Sequence, residues 1–138
     1  MSIDYRIIAP SEAADVLADP DHEPRAPLGS LGDVRHWLTQ RVANMTPDHD
    51  RVSCHIGTGR GSAWVHFWTV EAYKSRRDNY VPRDDYAVTT ISFMAYGDFD
   101  FTVIGECAAR FGGTIFDHQT SEMLAPEEFL HRLRLSDT

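Results

Sequence analysis

The segment from Thr89 to Thr120, TTISFMAYGDFDFTVIGECAARFGGTIFDHQT, constrains the fold more than any other part of this 138-residue chain. Alternating apolar residues predict a β-strand over Val88 to Gly97. Asp98 or Asp100 then marks the start of a helix, and Gly112-Gly113 marks its end, because glycine adopts a left-handed conformation at little cost. A short strand follows. This succession predicts a folded domain in which helices pack on a sheet.

The rest of the chain also predicts short strands and helices. The predicted strands are Ile3 to Ile8, Arg51 to Gly57, Ser62 to Glu71, Val88 to Gly97 and Thr114 to Phe116. The predicted helices begin at Ser11, at Leu31, from which helical spacing continues to Met45, at Asp98 or Asp100, and at Pro126. A further short helix and loop are predicted in the polar segment Ala72 to Tyr86. We expect a single α+β domain over residues 1–138, with a mostly antiparallel sheet of about four to five strands and helices packed on one face.

Charge and cysteine content restrict the compartment and the partners. The formal net charge is −8, whereas nucleic-acid binding requires a basic surface, so we expect no nucleic-acid partner. The N-terminus does not resemble a signal peptide, and no apolar run reaches the length of a membrane span, so we expect a cytoplasmic protein without a membrane partner. Cys54 and Cys107 lie in apolar patterns and are predicted to be buried free thiols.

Histidines are the first candidates for chemistry, since the chain contains seven. None has the spacing of a zinc site, so we predict no metal and no cofactor. One alternative places His55 and His66 opposite each other on the two arms of a β-hairpin, where His118 or Asp117 would complete a metal site. The turn Thr58 to Gly61, TGRG, is interpreted as the hairpin turn rather than an anion-binding loop, because it opens a strand.

Catalytic groups are not evident. Cys107 lies in the middle of a helix, where nothing lowers the pKa of a thiol, and the paired carboxylates occur at helix starts or in a loop. We therefore expect binding rather than catalysis. The residues that we predict to contact a partner are Trp64, Trp68, Asp84, Asp85 and Asp98, since aromatic residues close to charges are typical of protein interfaces.

The C-terminal segment DFDFTVIGECAARFGGTIFDHQTSEMLAPEEFL resembles the tail of small bacterial immunity-type proteins, which are paired with toxins of interbacterial competition. The resemblance covers about a quarter of the chain, from Asp98 to Leu130, and includes the helix, the Gly-Gly stop and the final PEEFL helix. It implies a small acidic cytoplasmic protein that neutralises its cognate toxin by occluding the toxin's active site. It implies no catalytic residue.

Three functional hypotheses follow. The first is the toxin-neutralising protein, whose acidic surface fits a basic partner. The second is a small enzyme or ligand-binding domain with a pocket on the sheet, lined by Arg60, His55, His66 and His118. The third is a homo-oligomeric structural protein with Trp64 and Trp68 in the subunit interface. The oligomeric state does not follow from the sequence.

Overall fold

The computed structural model describes residues 2–47, 52–70 and 82–136. Most of the segment Ala72 to Tyr86, with its predicted short helix, therefore lies outside the described residues. The strands are β1 (Ser2–Ile8), β2 (Gly29–Ser30), β3 (Asn44–Pro47), β4 (Ser53–Thr58), β5 (Gly61–Thr69), β6 (Ala87–Tyr96), β7 (Thr114–Asp117) and β8 (Glu122–Leu124). The helices are a 3-10 turn (Pro10–Glu12) that leads into α1 (Ala13–Ala18), then α2 (Leu31–Arg41), α3 (Thr102–Arg110) and α4 (Pro126–Ser136).

All strands belong to one antiparallel sheet with the order β3-β4-β5-β6-β1-β7-β8, and β2 pairs with β6. The α+β class and the antiparallel pairing are confirmed. The predicted number of four to five strands is wrong, because the sheet has eight. The three unpredicted strands, β2, β3 and β8, have two to four residues each. Such short strands depend on pairing with a neighbouring strand and carry little alternation of their own.

Helices α2, α3 and α4 cover one face of the sheet and bury the main core. Residues on this face of the three central strands β5, β6 and β1 include Phe67, Ile91 and Ile7, which lie in one cross-strand row and are almost fully buried. The prediction that all helices share this face is wrong for α1. Val16 of α1 packs instead with Ile8 and Phe116 on the opposite face, in a second, smaller cluster.

Several local signals in the sequence are confirmed. Ser30 caps α2, since its Oγ accepts a hydrogen bond of 3.1 Å from the Asp33 amide. Gly112 follows α3 with a φ of +65°, as expected of a glycine stop. Cys54 and Cys107 are free and buried, and burial raises the pKa of Cys107 far above the ordinary range of a thiol. Within the described residues, no helix is both long and apolar enough to span a membrane.

Candidate functional site

The face of the sheet opposite to α2, α3 and α4 is called here the open face. Alternation along β5 turns Ala63, Val65 and Phe67 into the main core and Trp64, His66 and Trp68 onto the open face. The cross-strand register then places Thr90, Ser92 and Met94 of β6 beside them, and Asp4 and Arg6 of β1 beyond these. Three strands thus present one mixed aromatic and polar surface.

A cavity of ≈ 610 Å³ lies on this surface and is called the open-face pocket. Its floor is the central part of the sheet. One rim is formed by the loop after α1, from Pro20 to Pro24, and by His118, the residue after β7. The side chains of its floor and rim are Asp4, Arg6, Pro20, Asp21, His22, Glu23, Pro24, Trp64, His66, Trp68, Thr90, Ser92, Met94 and His118. The volume is in the range of cavities that hold small ligands.

The aromatic wall of the open-face pocket consists of Trp64, His66 and Trp68. The ring centroids are 5.4 Å apart between Trp64 and His66, and 4.2 Å apart between His66 and Trp68. The indole Nε1 of Trp68 donates a hydrogen bond of 3.1 Å to Oγ of Ser92, which fixes the ring against the floor. Trp68 is 37% exposed, so part of this wall contacts solvent.

The opposite wall is polar and is organised by Arg6. Its Nε donates to Nε2 of His118 at 2.8 Å, and its Nη2 donates to the carbonyl oxygen of Pro20 at 2.9 Å. The guanidinium also lies 5.3 Å from the ring centroid of Phe116. Burial, and next the charge of Arg6, lower the pKa of His118 against the opposing effect of nearby carboxylates. His118 is therefore the neutral acceptor that this hydrogen bond requires.

Glu12 holds the loop that forms the rim. Its carboxylate accepts a hydrogen bond of 2.7 Å from Nε2 of His22 and bonds of 3.2 Å from the backbone amides of Arg25 and Ala26. The bond from His22 is the largest cause that lowers the pKa of Glu12. Within the described residues, one group of possible metal ligands has its ligand atoms within 4.8 Å of one another. It consists of Glu12, Asp15 and His22. The hydrogen bonds of Glu12 already explain why this group is close together.

The structure brings some of the predicted site residues together and separates others. Trp64, Trp68, His66 and His118 all line the open-face pocket. Arg60 and His55 do not line it. The hairpin register also differs from the predicted one.

His55 is opposite Trp64 in that register, and His66 is opposite Ser53, because the turn is centred on Gly59 and Arg60. The two histidines are therefore not directly opposite each other. Within the described part of the chain, the three histidines His55, His66 and His118 do not form a group with metal-ligand spacing.

The three predicted acidic contacts do not line the open-face pocket. Asp84 lines a smaller cavity of ≈ 380 Å³ beside α2, and its carboxylate is 3.6 Å from Nη1 of Arg35. Asp85 pairs with Arg83 at 3.2 Å. Asp98 is exposed after the other end of β6, about 30 Å from Asp84 along a strand of this length. Of the five predicted contact residues, Trp64 and Trp68 thus line the open-face pocket.

Sequence reasoning missed most of the polar wall, namely Asp4, Arg6 and the rim from Pro20 to Pro24. The alternation of β1 is visible in the sequence, since Asp4 and Arg6 alternate with Tyr5 and Ile7. It indicates that both charges share one face, but not which strands lie beside them. The rim gives no such signal, because it is positioned by hydrogen bonds from distant residues.

Comparison with known proteins identifies no relative: no family model matches the chain, and neither a curated protein nor a solved structure matches it.

Proposed function

We propose that this chain is a binding protein whose ligand is a small molecule held in the open-face pocket. The observation that carries the proposal is the pocket itself, a cavity of ≈ 610 Å³ with an aromatic wall on one side and convergent polar groups on the other. Aromatic residues supply contact area, and a few fixed polar groups supply orientation, which is the usual composition of a small-molecule site.

Order in the polar wall supports this proposal. The side chains of Arg6 and His118 are fixed by a hydrogen bond to each other, and Glu12 fixes the rim loop. A site whose walls are already positioned loses less conformational entropy when a ligand binds.

Ligand-detected NMR with a library of small fragments tests the proposal. Ser92 lies on the floor of the pocket, so Ser92→Leu should place a larger apolar side chain in it and weaken binding. Ser62 lies on the same face of the sheet but outside the pocket, so Ser62→Leu is the matched control and should retain binding. If no fragment binds the wild type, or if the fragments bind Ser92→Leu as tightly as the wild type, the proposal is wrong. Circular dichroism checks that both variants are folded.

A second proposal is that the chain neutralises a basic toxin in the cytoplasm. The net charge of −8 supports it, since opposite charges accelerate association. The exposed part of Trp68 offers an anchor at the edge of the open-face pocket, while Asp84 and Asp85 lie elsewhere. Co-expression with the product of the neighbouring gene tests this proposal. Formation of a complex that Trp68→Ala weakens is expected, and the absence of any complex would contradict it.

A further inference from the structure

Asp4 is the acidic group on the floor of the open-face pocket. It lies on β1, in one cross-strand row with Met94 of β6 and Trp64 of β5. Its Oδ1 atom is buried and has no hydrogen-bond partner among the described residues. A buried carboxylate oxygen without a donor is costly, because it has lost its hydration and gained nothing in return. A donor supplied by a ligand would remove this cost.

The position of Asp4 allows such a contact. Asp4 lines the pocket, and the terminal torsion of an aspartate is roughly two-fold, so a half-turn of the carboxylate exchanges the two oxygens. Thr90 is a second polar group of the floor, 2% exposed, and its Oγ1 also lacks a partner among the described residues. The floor therefore contains two buried oxygen atoms that lack a hydrogen-bond donor among the described residues.

The charges around the pocket favour a cation. Among the described residues, the acidic residues Asp4, Asp21 and Glu23 line it against one guanidinium, that of Arg6. The guanidinium is directed to the rim through its bonds to His118 and Pro20. The charge of −8 on the whole chain attracts cations as well.

The distance between Asp4 and the aromatic wall sets the shape of the ligand. Trp64 lies two strands from Asp4, which is about 10 Å between backbones. Met94 lies between them and gives an apolar surface. A ligand that reaches both sides needs a cationic head and a flat or apolar body a few bonds away.

We propose that the open-face pocket binds an arylalkylamine-type cation, with the ammonium group on Asp4 and the aromatic body on Trp64 and Trp68. This inference rests on the proposed function, because it names the ligand class of the same pocket.

Calorimetric titration at neutral pH with three probes of the same shape tests the ligand class. The probes are phenethylamine, phenethyl alcohol and hydrocinnamate, which carry a positive, a neutral and a negative head. We expect the amine to bind about tenfold or more tightly than the other two, as one charge-assisted hydrogen bond implies. Equal or tighter binding of the alcohol or the acid overturns the inference and leaves the proposed binding function intact.

The variant Asp4→Asn tests the residue. It should weaken binding of the amine about tenfold and leave binding of the alcohol unchanged. Asp98→Asn removes the same charge at an exposed position outside the pocket and should leave both affinities as in the wild type. Unchanged binding of the amine to Asp4→Asn overturns the assignment. If none of the three probes binds, the inference fails, and the fragment experiment with Ser92→Leu shows whether the pocket binds other molecules.

A lysine side chain of a protein partner would offer the same ammonium chemistry. Titration with Nα-acetyl-lysine methylamide distinguishes this source, since this molecule carries the ammonium group but no aromatic ring. We expect it to bind more weakly than phenethylamine, and binding as tight as that of phenethylamine would contradict the arylalkylamine assignment.

Discussion

Gly59 and Gly61 belong to the same turn between β4 and β5, but the fold requires each for a different reason. Gly59 has a φ of +62° and nothing within 4 Å of the place where a Cβ would be. Gly61 needs no left-handed backbone. A Cβ there would lie 2.1 Å from the backbone nitrogen of Phe99 and 2.4 Å from the carbonyl carbon of Asp98. Gly59 thus permits a positive φ, while Gly61 permits contact between two backbones.

This difference predicts unequal effects of adding one methyl group. Gly61→Ala should lower the free energy of unfolding by about 3 kcal/mol or more, because backbone cannot yield as a flexible side chain does. Gly59→Ala, the control in the same turn, should lower it by about 1–2 kcal/mol through backbone strain alone. Urea denaturation measures both values. Equal losses of stability, or a larger loss for Gly59→Ala, would contradict the close approach at Gly61.

Polar contacts, more than apolar burial, hold the 3-10 turn and α1 in position. Val16 is the one buried residue of α1 and lies in the small cluster with Ile8 and Phe116. Glu12 connects this element to the rim loop through His22 and two backbone amides. The element therefore positions the rim of the open-face pocket although it contributes little to the main core.

We predict that Glu12→Gln loosens the rim loop without unfolding the molecule. The variant removes the charge that strengthens the hydrogen bond from His22. Hydrogen exchange should show faster exchange at the amides of Arg25 and Ala26, with amides of β6 unchanged. Asp15→Asn is the matched control, since Asp15 is 3.9 Å from His22 and receives no hydrogen bond from the loop amides. Equal exchange rates in Glu12→Gln and the wild type would show that Glu12 does not hold the loop.

Elements with strong local signals could be predicted from the sequence, and those stabilised by distant contacts could not. The β4–β5 hairpin and α3 follow from alternation, helical spacing and glycine turns. The helix predicted to run from Leu31 to Met45 ends at Arg41, because Met45 belongs to β3, which pairs with β4. Helical spacing alone does not reveal this competition with the sheet.

The two walls of the open-face pocket also differ in how far the sequence predicts them. The aromatic wall could be predicted, because Trp64, His66 and Trp68 alternate with core residues along one strand. The polar wall could not, since Arg6 meets His118 across 112 positions of sequence. The strand order, which no local pattern encodes, decides that β1 lies beside β6 and brings Asp4 to the pocket.

At the scale of the whole molecule, the sheet separates two chemically different sides. One side is a continuous apolar core under α2, α3 and α4, and the other holds the small second cluster and the open-face pocket. Hydrogen bonds to ionisable groups hold the rim on this second side. Protons should therefore affect the pocket side before they affect the core.

The lowered pKa of His118 determines how stability should change with pH. Its pKa is lowered in the folded protein from 6.5, chiefly by burial and then by Arg6, while Asp4 and Asp117 raise it. Between the folded pKa and 6.5 the unfolded chain binds more protons than the folded protein, so the free energy of unfolding should fall as the pH decreases below 6.5. The lowered pKa of Glu12 has the same sign but acts below 4.5.

The variant His118→Gln isolates this effect, because a glutamine oxygen can accept the bond from Arg6 without titrating. Urea denaturation across the interval from 6.5 down to 4.5 should show a steeper loss of stability in the wild type than in the variant. At mildly alkaline pH, His118 is neutral in both states and the two proteins should show no such difference in slope. Parallel profiles over the whole interval would mean that protonation of His118 does not couple to folding, and that the bond between Arg6 and His118 contributes little to holding the rim.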